Sequence, residues 1–325
     1  MNIVIADDYQ DCIRTLDCFS LLDGHPVTVY NTAARTRQEL IERLLPADVL
    51  IVVRERIEID AALLEALPRL KLISLVGRHS RRIDFAACTA RNIGVTHGVS
   101  SSPTAPAELT MALMFASRRN VVTEAVRMQT GLWPKTLSHR LAGSTFAIFG
   151  FGVIAQRVAP VAKAAGMQVL VWGRKGSLER AAAAGYETAA SKADLFTRAD
   201  VLSVHLRFND QTVGAITAAD LALMKPTALF INTARAELVE TDALENALNA
   251  GRPGFAAVDV LENEPTFDGD HPLLRMENVI CMPHLGWTDH ETFGLYFGEA
   301  FEQVRRYAAG EPLTLHNPEV VIQRP

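Results

Sequence analysis

Ala147-Ile148-Phe149-Gly150-Phe151-Gly152-Val153-Ile154-Ala155 is the stretch from which the fold is read. An apolar, strand-like run enters a GxGxxA turn. Ile154, Val158, Val161 and Ala165 then recur at spacings of four, three and four, which is helical. Gly150 suits the tight turn, and Gly152 lets backbone approach a pyrophosphate at the helix N-terminus. Ala155 is small enough for close packing of helix on strand. The glycines alone carry little weight, and a plain glycine turn is the bland alternative. Strand, helix and the next apolar run, Val169–Trp172, complete a βαβ unit, and that context points to nucleotide binding. Pro160 sits inside the expected helix, where it removes a hydrogen bond and costs about 3 kcal/mol unless a kink absorbs it.

Outward from the turn, short apolar runs alternate with helical patterns in both directions. Upstream, the expected strands are Ile3–Ala6, Val27–Tyr30, Val49–Val53, Leu72–Val76 and Val95–His97. Helical stretches such as Arg37–Leu45 and Ala61–Leu67 lie between them. Ser100–Pro106 reads as a linker, followed by one long helix from Ala107 to about Gln129. Downstream, the expected strands are Phe146–Phe149, Gln168–Trp172, Val201–His205, Ala228–Ile231, Ala256–Val258 and Val279–Cys281, and a late helix covers Glu291–Ala309. Runs apolar throughout, not alternating, suit strands covered on both faces of a parallel sheet. The pattern predicts an α/β chain of two lobes.

Composition narrows the partners. The 325 residues are enough for about two domains, and 49% hydrophobic with 21% charged is ordinary for a globular chain. Lys+Arg at 32 against Asp+Glu at 37 leaves a formal charge of −5, with no basic excess for nucleic acid. No run of about 18 apolar residues predicts a membrane span. The opening Asn2-Ile3-Val4-Ile5-Ala6 has no basic, signal-like region. Cys12, Cys18, Cys88 and Cys281 form no CxxC pair and no ligand cluster, so they read as buried thiols of a reducing cytoplasm, with no metal site.

Cofactor choice is read after the second strand of the βαβ unit. A carboxylate there usually holds the ribose hydroxyls of NAD, but this run is Val171-Trp172-Gly173-Arg174-Lys175. Arg174 and Lys175 suit a 2′-phosphate, which favours NADP(H), although two solvated charges at a helix start look the same. Three further segments each follow an expected strand: Asn232-Thr233-Ala234-Arg235, Asp259-Val260-Leu261-Glu262-Asn263-Glu264-Pro265 and Pro283-His284-Leu285-Gly286. In an open parallel sheet that is the carboxyl edge, where ligands bind. An arginine, a carboxylate and a histidine gathered there suit proton-coupled hydride transfer at a 2-oxo acid.

With these motifs, the chain resembles the D-isomer-specific 2-hydroxyacid dehydrogenase family over nearly its whole length. The likeness rests on the mid-chain glycine motif, on Leu223-Met224-Lys225-Pro226 leading to Arg235, on Asp259 to Pro265, and on Asn278-Val279 to Gly286. It implies two Rossmann-like doubly wound parallel-sheet domains with a cleft between them. The cofactor domain, residues 104–290, is inserted into a substrate domain made of residues 1–103 plus 291–325. It implies catalytic roles for Arg235, Glu264 and His284. His284 would exchange a proton with the substrate oxygen, Glu264 would hold the second ring nitrogen, and Arg235 would bind the substrate carboxylate. Gly150, Gly152, Val153, Ile154, Arg174, Lys175, Thr233, Ala234 and Asp259 would line an NAD(P) cofactor, with Asp259 positioning the nicotinamide amide. A cytoplasmic homodimer formed through the cofactor domain, with the long helix as one contact, is the further expectation.

The substrate loop departs from the family pattern. Gly77 and Asp84 fit, but His79 replaces a usual glycine and Arg78, Arg81 and Arg82 crowd the stretch. Either Arg78 and His79 point away and backbone alone binds, or the site takes a more anionic or bulkier acid. Arg54, after Val49–Val53, is another candidate substrate contact. Ala236 replaces the glycine after the catalytic arginine, Arg207 stands where proline is usual, and His205 is a candidate neighbour of the adenosine. Within the class, D-3-phosphoglycerate dehydrogenase is one alternative, and Glu264 in place of glutamine argues against formate dehydrogenase. From another class, C-terminal-binding corepressors keep the same scaffold and triad as interaction modules, with no extra docking segment evident here.

Overall fold

The computed structural model describes residues 1–133, 136–267 and 269–322, and the chain divides into two compact units. One unit comprises Met1–Ser102 and the chain from Thr288 on; the other is the continuous segment Pro103–Trp287 between them.

The first unit carries five parallel strands: β1 (Ile3–Ile5), β2 (Val27–Val29), β3 (Val49–Val53), β4 (Leu72–Val76) and β5 (Gly94–His97). Their spatial order is β2-β1-β3-β4-β5. All ten residues of β3 and β4 are buried, which is why all but Ser74 are apolar, without alternation. Three short helices join the strands: α1 (Arg37–Leu44), α2 (Ala61–Glu65) and α3 (Phe85–Ala90). At their starts the side chains of Thr36, Asp60 and Asp84 accept the N–H groups of Glu39, Leu63 and Ala87 respectively.

The second unit opens with α4 (Thr104–Arg118) and α5 (Val121–Gln129). Seven parallel strands follow: β6 (Thr145–Phe149), β7 (Gln168–Trp172), β8 (Glu187–Thr188), β9 (Val201–Val204), β10 (Leu229–Asn232), β11 (Phe255–Val258) and β12 (Val279–Cys281). They are ordered β12-β11-β10-β9-β6-β7-β8. Counted from β6 this is the 3-2-1-4-5-6 dinucleotide-binding order with one more strand, and the order reverses between β6 and β9. The connecting helices are α6 (Ala155–Ala164), α7 (Lys175–Ala183), α8 (Lys192–Arg198), α9 (Ala218–Ala222) and α10 (Ala243–Asn249). One core includes Phe196, Leu202, Phe230 and Leu244, and the other Phe146, Val158, Ile231 and Met114 of α4.

The long helix α11 (His290–Ala309) returns the chain to the first unit. Phe293, Phe297, Phe301 and Val304 line its buried stripe, Ser74 of β4 donates to the Ala300 carbonyl at 2.8 Å, and Gly310 ends it left-handed at φ 69°.

Three expectations need correction. The helix expected from Ala107 to Gln129 is two helices, because Asn120 adopts φ 53° and ψ 29° between them. Asparagine tolerates that left-handed conformation, and apolar spacing does not register a one-residue break. The linker is shorter than expected, since α4 begins at Thr104 and takes Pro106 into its first turn. Of the four cysteines expected to be buried only Cys88 is, and Cys12, Cys18 and Cys281 are half-buried, because a thiol at the edge of a core can keep part of its surface in solvent. Strand β8, two exposed residues without an apolar signal, lies outside the expected strands. Pro160 does lie inside α6, on an exposed position one turn after exposed Gln156, whose carbonyl loses its N–H partner facing water.

Candidate functional site

At the switch point of the second sheet, the ends of β6, β7 and β9 meet in one turn. Gly150 has φ 91° and donates to the Trp172 carbonyl at 2.7 Å, while His205 donates to the Phe149 carbonyl at 2.8 Å. A Cβ on Gly150 would stand 2.7 Å from the His205 carbonyl oxygen, so both its dihedral and its surroundings require glycine. Phe151 is buried and pins the turn; its N–H donates to Ser177 Oγ at 3.2 Å. Gly152 is different. Apart from its chain neighbours, no atom of the described residues lies within 4 Å of where its Cβ would be, so the space above it is open at the start of α6. Beside it Val153 is 65% exposed, and Ile154 is half-buried at the cap of α6. An open glycine cradle at the helix start, in this strand order, fits a dinucleotide.

Beyond β7, Arg174 caps α7 and donates to Gln211 Oε1 at 3.1 Å, and Lys175 stands 3.8 Å from Glu179. Both cations are exposed, and Trp172 to Lys175 includes no carboxylate. His205 lies at the glycine turn through its carbonyl. Its ring is 2.9 Å from Ser203 Oγ, and burial pushes the imidazole down to about 4, so it is neutral near pH 7.

The ends of β10, β11 and β12 carry the other candidates. Buried Asn232 braces the turn after β10: its Oδ1 accepts the Ala234 N–H at 3.0 Å and its Nδ2 donates to the Arg235 carbonyl at 2.8 Å. Thr233 is 2.8 Å from Thr110 of α4, hydroxyl to hydroxyl, and Arg235 Nη1 donates to the Ala234 carbonyl at 2.7 Å. Ala236 is buried at the start of a 3-10 turn, whereas Arg207 is exposed.

After β11, Asp259 is 1% exposed and accepts the Leu285 and Gly286 N–H groups at 2.6 and 2.7 Å. Burial raises its carboxyl, and these donors and the His284 charge oppose the rise. A Cβ at Gly286 would approach Asp259 Oδ2 to 3.0 Å. These bonds hold the loop after β12, in which His284 adopts φ 55°. A left-handed non-glycine residue costs about 1–3 kcal/mol and persists where its neighbours impose it. His284 Nδ1 then lies 2.6 Å from Glu264 Oε2, and Glu264 Oε1 accepts the Leu261 N–H at 2.8 Å. Burial would raise the Glu264 carboxyl, but the His284 contact, the Leu261 N–H and the Arg235 charge hold it below the usual range. Arg235, Glu264, His284 and Asp259 thus form one group. The bracing side chains Asn232 and Thr110 were not singled out from the sequence; an amide closing a strand just before Thr-Ala-Arg was the available signal.

In the first unit, Arg54 follows β3 with φ 57°, its guanidinium 5.9 Å from the Tyr296 ring centre. A Cβ on Gly77 would lie 3.2 Å from Arg54 Nη1, so the two are neighbours. Gly77 has φ 114°, and its carbonyl accepts the Gly98 N–H at 2.8 Å. Arg78 and His79 are exposed, the Arg78 carbonyl is 3.0 Å from His316 Nε2, and the His79 ring is 5.6 Å from that of His316. Among the described residues, no cluster of three or more His, Cys, Asp or Glu could hold a metal ion, and no helix is long and apolar enough to cross a membrane.

Residues 111–286 match the family model described as D-isomer specific 2-hydroxyacid dehydrogenase, NAD binding domain. A solved oxidoreductase of Ralstonia solanacearum is 46% identical with a TM-score of 0.94, over 99% of this chain and 98% of that one. A glyoxylate reductase of Aeropyrum pernix is 36% identical over 87% of each chain. The D-3-phosphoglycerate dehydrogenase of Methanocaldococcus jannaschii is 34% identical over 85% of this chain, which spans 52% of that longer protein.

Proposed function

The chain belongs to the D-isomer-specific 2-hydroxyacid dehydrogenase family, and on that premise we propose that it interconverts a small 2-oxo acid and its D-2-hydroxy acid with NAD(P). The observation that carries this reading is the 2.6 Å contact between His284 Nδ1 and Glu264 Oε2 at the carboxyl edge of the dinucleotide-binding sheet. A nicotinamide held at this site would supply or accept the hydride at C2. Because a carboxylate only accepts, it holds the proton on Nδ1 and leaves Nε2 to face the substrate oxygen. As the imidazolium, with both nitrogens protonated, His284 gives that oxygen the Nε2 proton during reduction, and the neutral ring takes it back during oxidation. Arg235 binds the substrate carboxylate and offsets charge developing on the carbonyl. Asp259 holds the His284 loop through two N–H bonds, and its remaining lone pairs would receive the nicotinamide amide. In the first unit, Arg54, Gly77, Arg78 and His79 form the substrate edge.

Two exposed cations after β7, with no acid, support a preference for NADP(H). Arg174→Ala is expected to raise KM for NADPH several-fold more than KM for NADH; equal effects remove the preference. Free thiols suit the cytoplasm. Exposed apolar side chains on and after α5, among them Val121, Val126, Leu132 and Trp133, support a homodimer through this unit. The deciding experiment is oxidation of NADH and NADPH against glyoxylate, hydroxypyruvate, phenylpyruvate, branched 2-oxo acids and 3-phosphohydroxypyruvate. Turnover of at least one is expected, and none with either cofactor would end the reading.

A further inference from the structure

The chain after α11 does not simply trail away. Leu315 bridges antiparallel to Thr96 of β5, His316 donates its N–H to the Val95 carbonyl at 2.8 Å, and His97 donates to the Thr314 carbonyl at 3.3 Å. Buried Asn317 locks this register, since its Oδ1 accepts the Val95 N–H and its Nδ2 donates to the Ile93 carbonyl, both at 2.9 Å. The segment therefore holds His316 against the loop after β4. Its ring packs 4.2 Å from the His97 ring and 4.9 Å from Phe85, centre to centre.

We propose that His316 is a positioning residue for the substrate loop, acting through the Arg78 carbonyl; the proposal rests on the functional reading above. A carbonyl only accepts, so His316 presents Nε2–H to it at 3.0 Å. The preceding carbonyl, of Gly77, is held by the Gly98 N–H at 2.8 Å. Two successive peptides are thus pinned by their oxygens. In a planar trans peptide the N–H points opposite to the C=O, so the N–H groups of Arg78 and His79 turn away from β5 and the C-terminal segment. That orientation is what a loop presenting N–H groups to a carboxylate requires. Burial, followed by the nearby His97 and by His79, which outweigh the Arg78 carbonyl, holds the His316 ring below its ordinary value, so it donates as a neutral tautomer near pH 7. His97 is itself engaged through Nδ1 to the Gly98 carbonyl at 2.9 Å.

The test compares His316→Phe, which keeps a ring but loses the donor, with His316→Gln, which restores an N–H donor. Calorimetric binding of oxamate, a non-reducible analogue of a 2-oxo acid, to the NADH-loaded protein is measured alongside steady-state kinetics. His316→Phe is expected to weaken oxamate about 3- to 10-fold and raise KM for the oxo acid equally, the range for one lost hydrogen bond. KM for NADH and kcat should move less than about twofold, and His316→Gln should recover most of the loss. Unchanged oxamate affinity in His316→Phe, or an equal loss in both variants, overturns the proposal. So does a loss spread over kcat and NADH binding together with a lower Tm. Wild-type turnover of no 2-oxo acid, with oxamate binding still dependent on His316, overturns the functional reading and leaves the coupling of His316 to the loop standing. No binding of oxamate by a wild type that turns over a 2-oxo acid overturns this proposal and leaves the functional reading in place.

Discussion

His284 combines a left-handed backbone with a side chain bonded to Glu264, and both features come from neighbours, not from histidine itself. His284→Ala is expected to cut kcat by at least about a thousandfold, because it removes the proton donor and its orientation together. NADH affinity measured by fluorescence titration should stay within about twofold. Unchanged turnover would remove His284 from the mechanism. A different carboxyl group governs stability. Asp7 is 1% exposed, its Oδ2 has no hydrogen-bond partner among the described residues, and burial pushes it up to about 6 against the Arg56 charge and the Tyr9 hydroxyl bond. The folded protein then binds the proton more tightly than the unfolded chain, so stability falls as pH rises from about 4 to about 6. The loss is at most about 3 kcal/mol for a shift of this size. The Tm difference between Asp7→Asn and the wild type should therefore shift in favour of the variant between pH 4 and pH 7. A difference independent of pH would show that Asp7 does not titrate in this window.

At the scale of elements, the turn from β6 to α6 separates two roles that the motif leaves merged. Gly150→Ala places a methyl group against the His205 carbonyl at positive φ, and it is expected to lower Tm by several degrees. Gly152→Ala meets no protein atom. It should leave Tm within about 2 °C while weakening NAD(P)H at least tenfold, because the methyl group fills the space a pyrophosphate needs. Equal dinucleotide affinity in Gly152→Ala would place the cofactor elsewhere. The loops after β10, β11 and β12 form another unit, in which Asn232 braces Arg235 and Asp259 braces His284. Positions of the catalytic candidates were legible because Arg235, Glu264 and His284 each follow an apolar strand. The bracing roles of Asn232 and Asp259 were not, since an amide or a carboxylate at a strand end reads the same whether it binds a ligand or a neighbouring loop. Asn120 escaped notice for a related reason: one left-handed residue leaves the apolar period of α4 and α5 intact.

At the scale of the whole molecule, the exposed apolar stretch on and after α5 carries the remaining prediction. Val126 and Trp133 are 54% and 81% exposed, an arrangement that solvent disfavours unless a second surface covers it. Val126→Arg with Trp133→Glu is expected to convert a dimer into a monomer by sedimentation velocity, with Tm lowered by the lost association. A wild type that sediments as a monomer would contradict the homodimer. The α/β class, most strand positions, the glycine turn and the three candidates for proton and carboxylate chemistry are all written in the local order of residues. That is so because a strand buried on both faces must be apolar throughout, and because a pyrophosphate turn requires glycine locally. Tertiary structure alone decided the strand order in each sheet, the bracing of Arg235 and His284, and the meeting of His316 with a carbonyl 238 residues away. Those contacts join segments far apart in the chain. No local period encodes them, and they exist only once the packed strands bring their ends together.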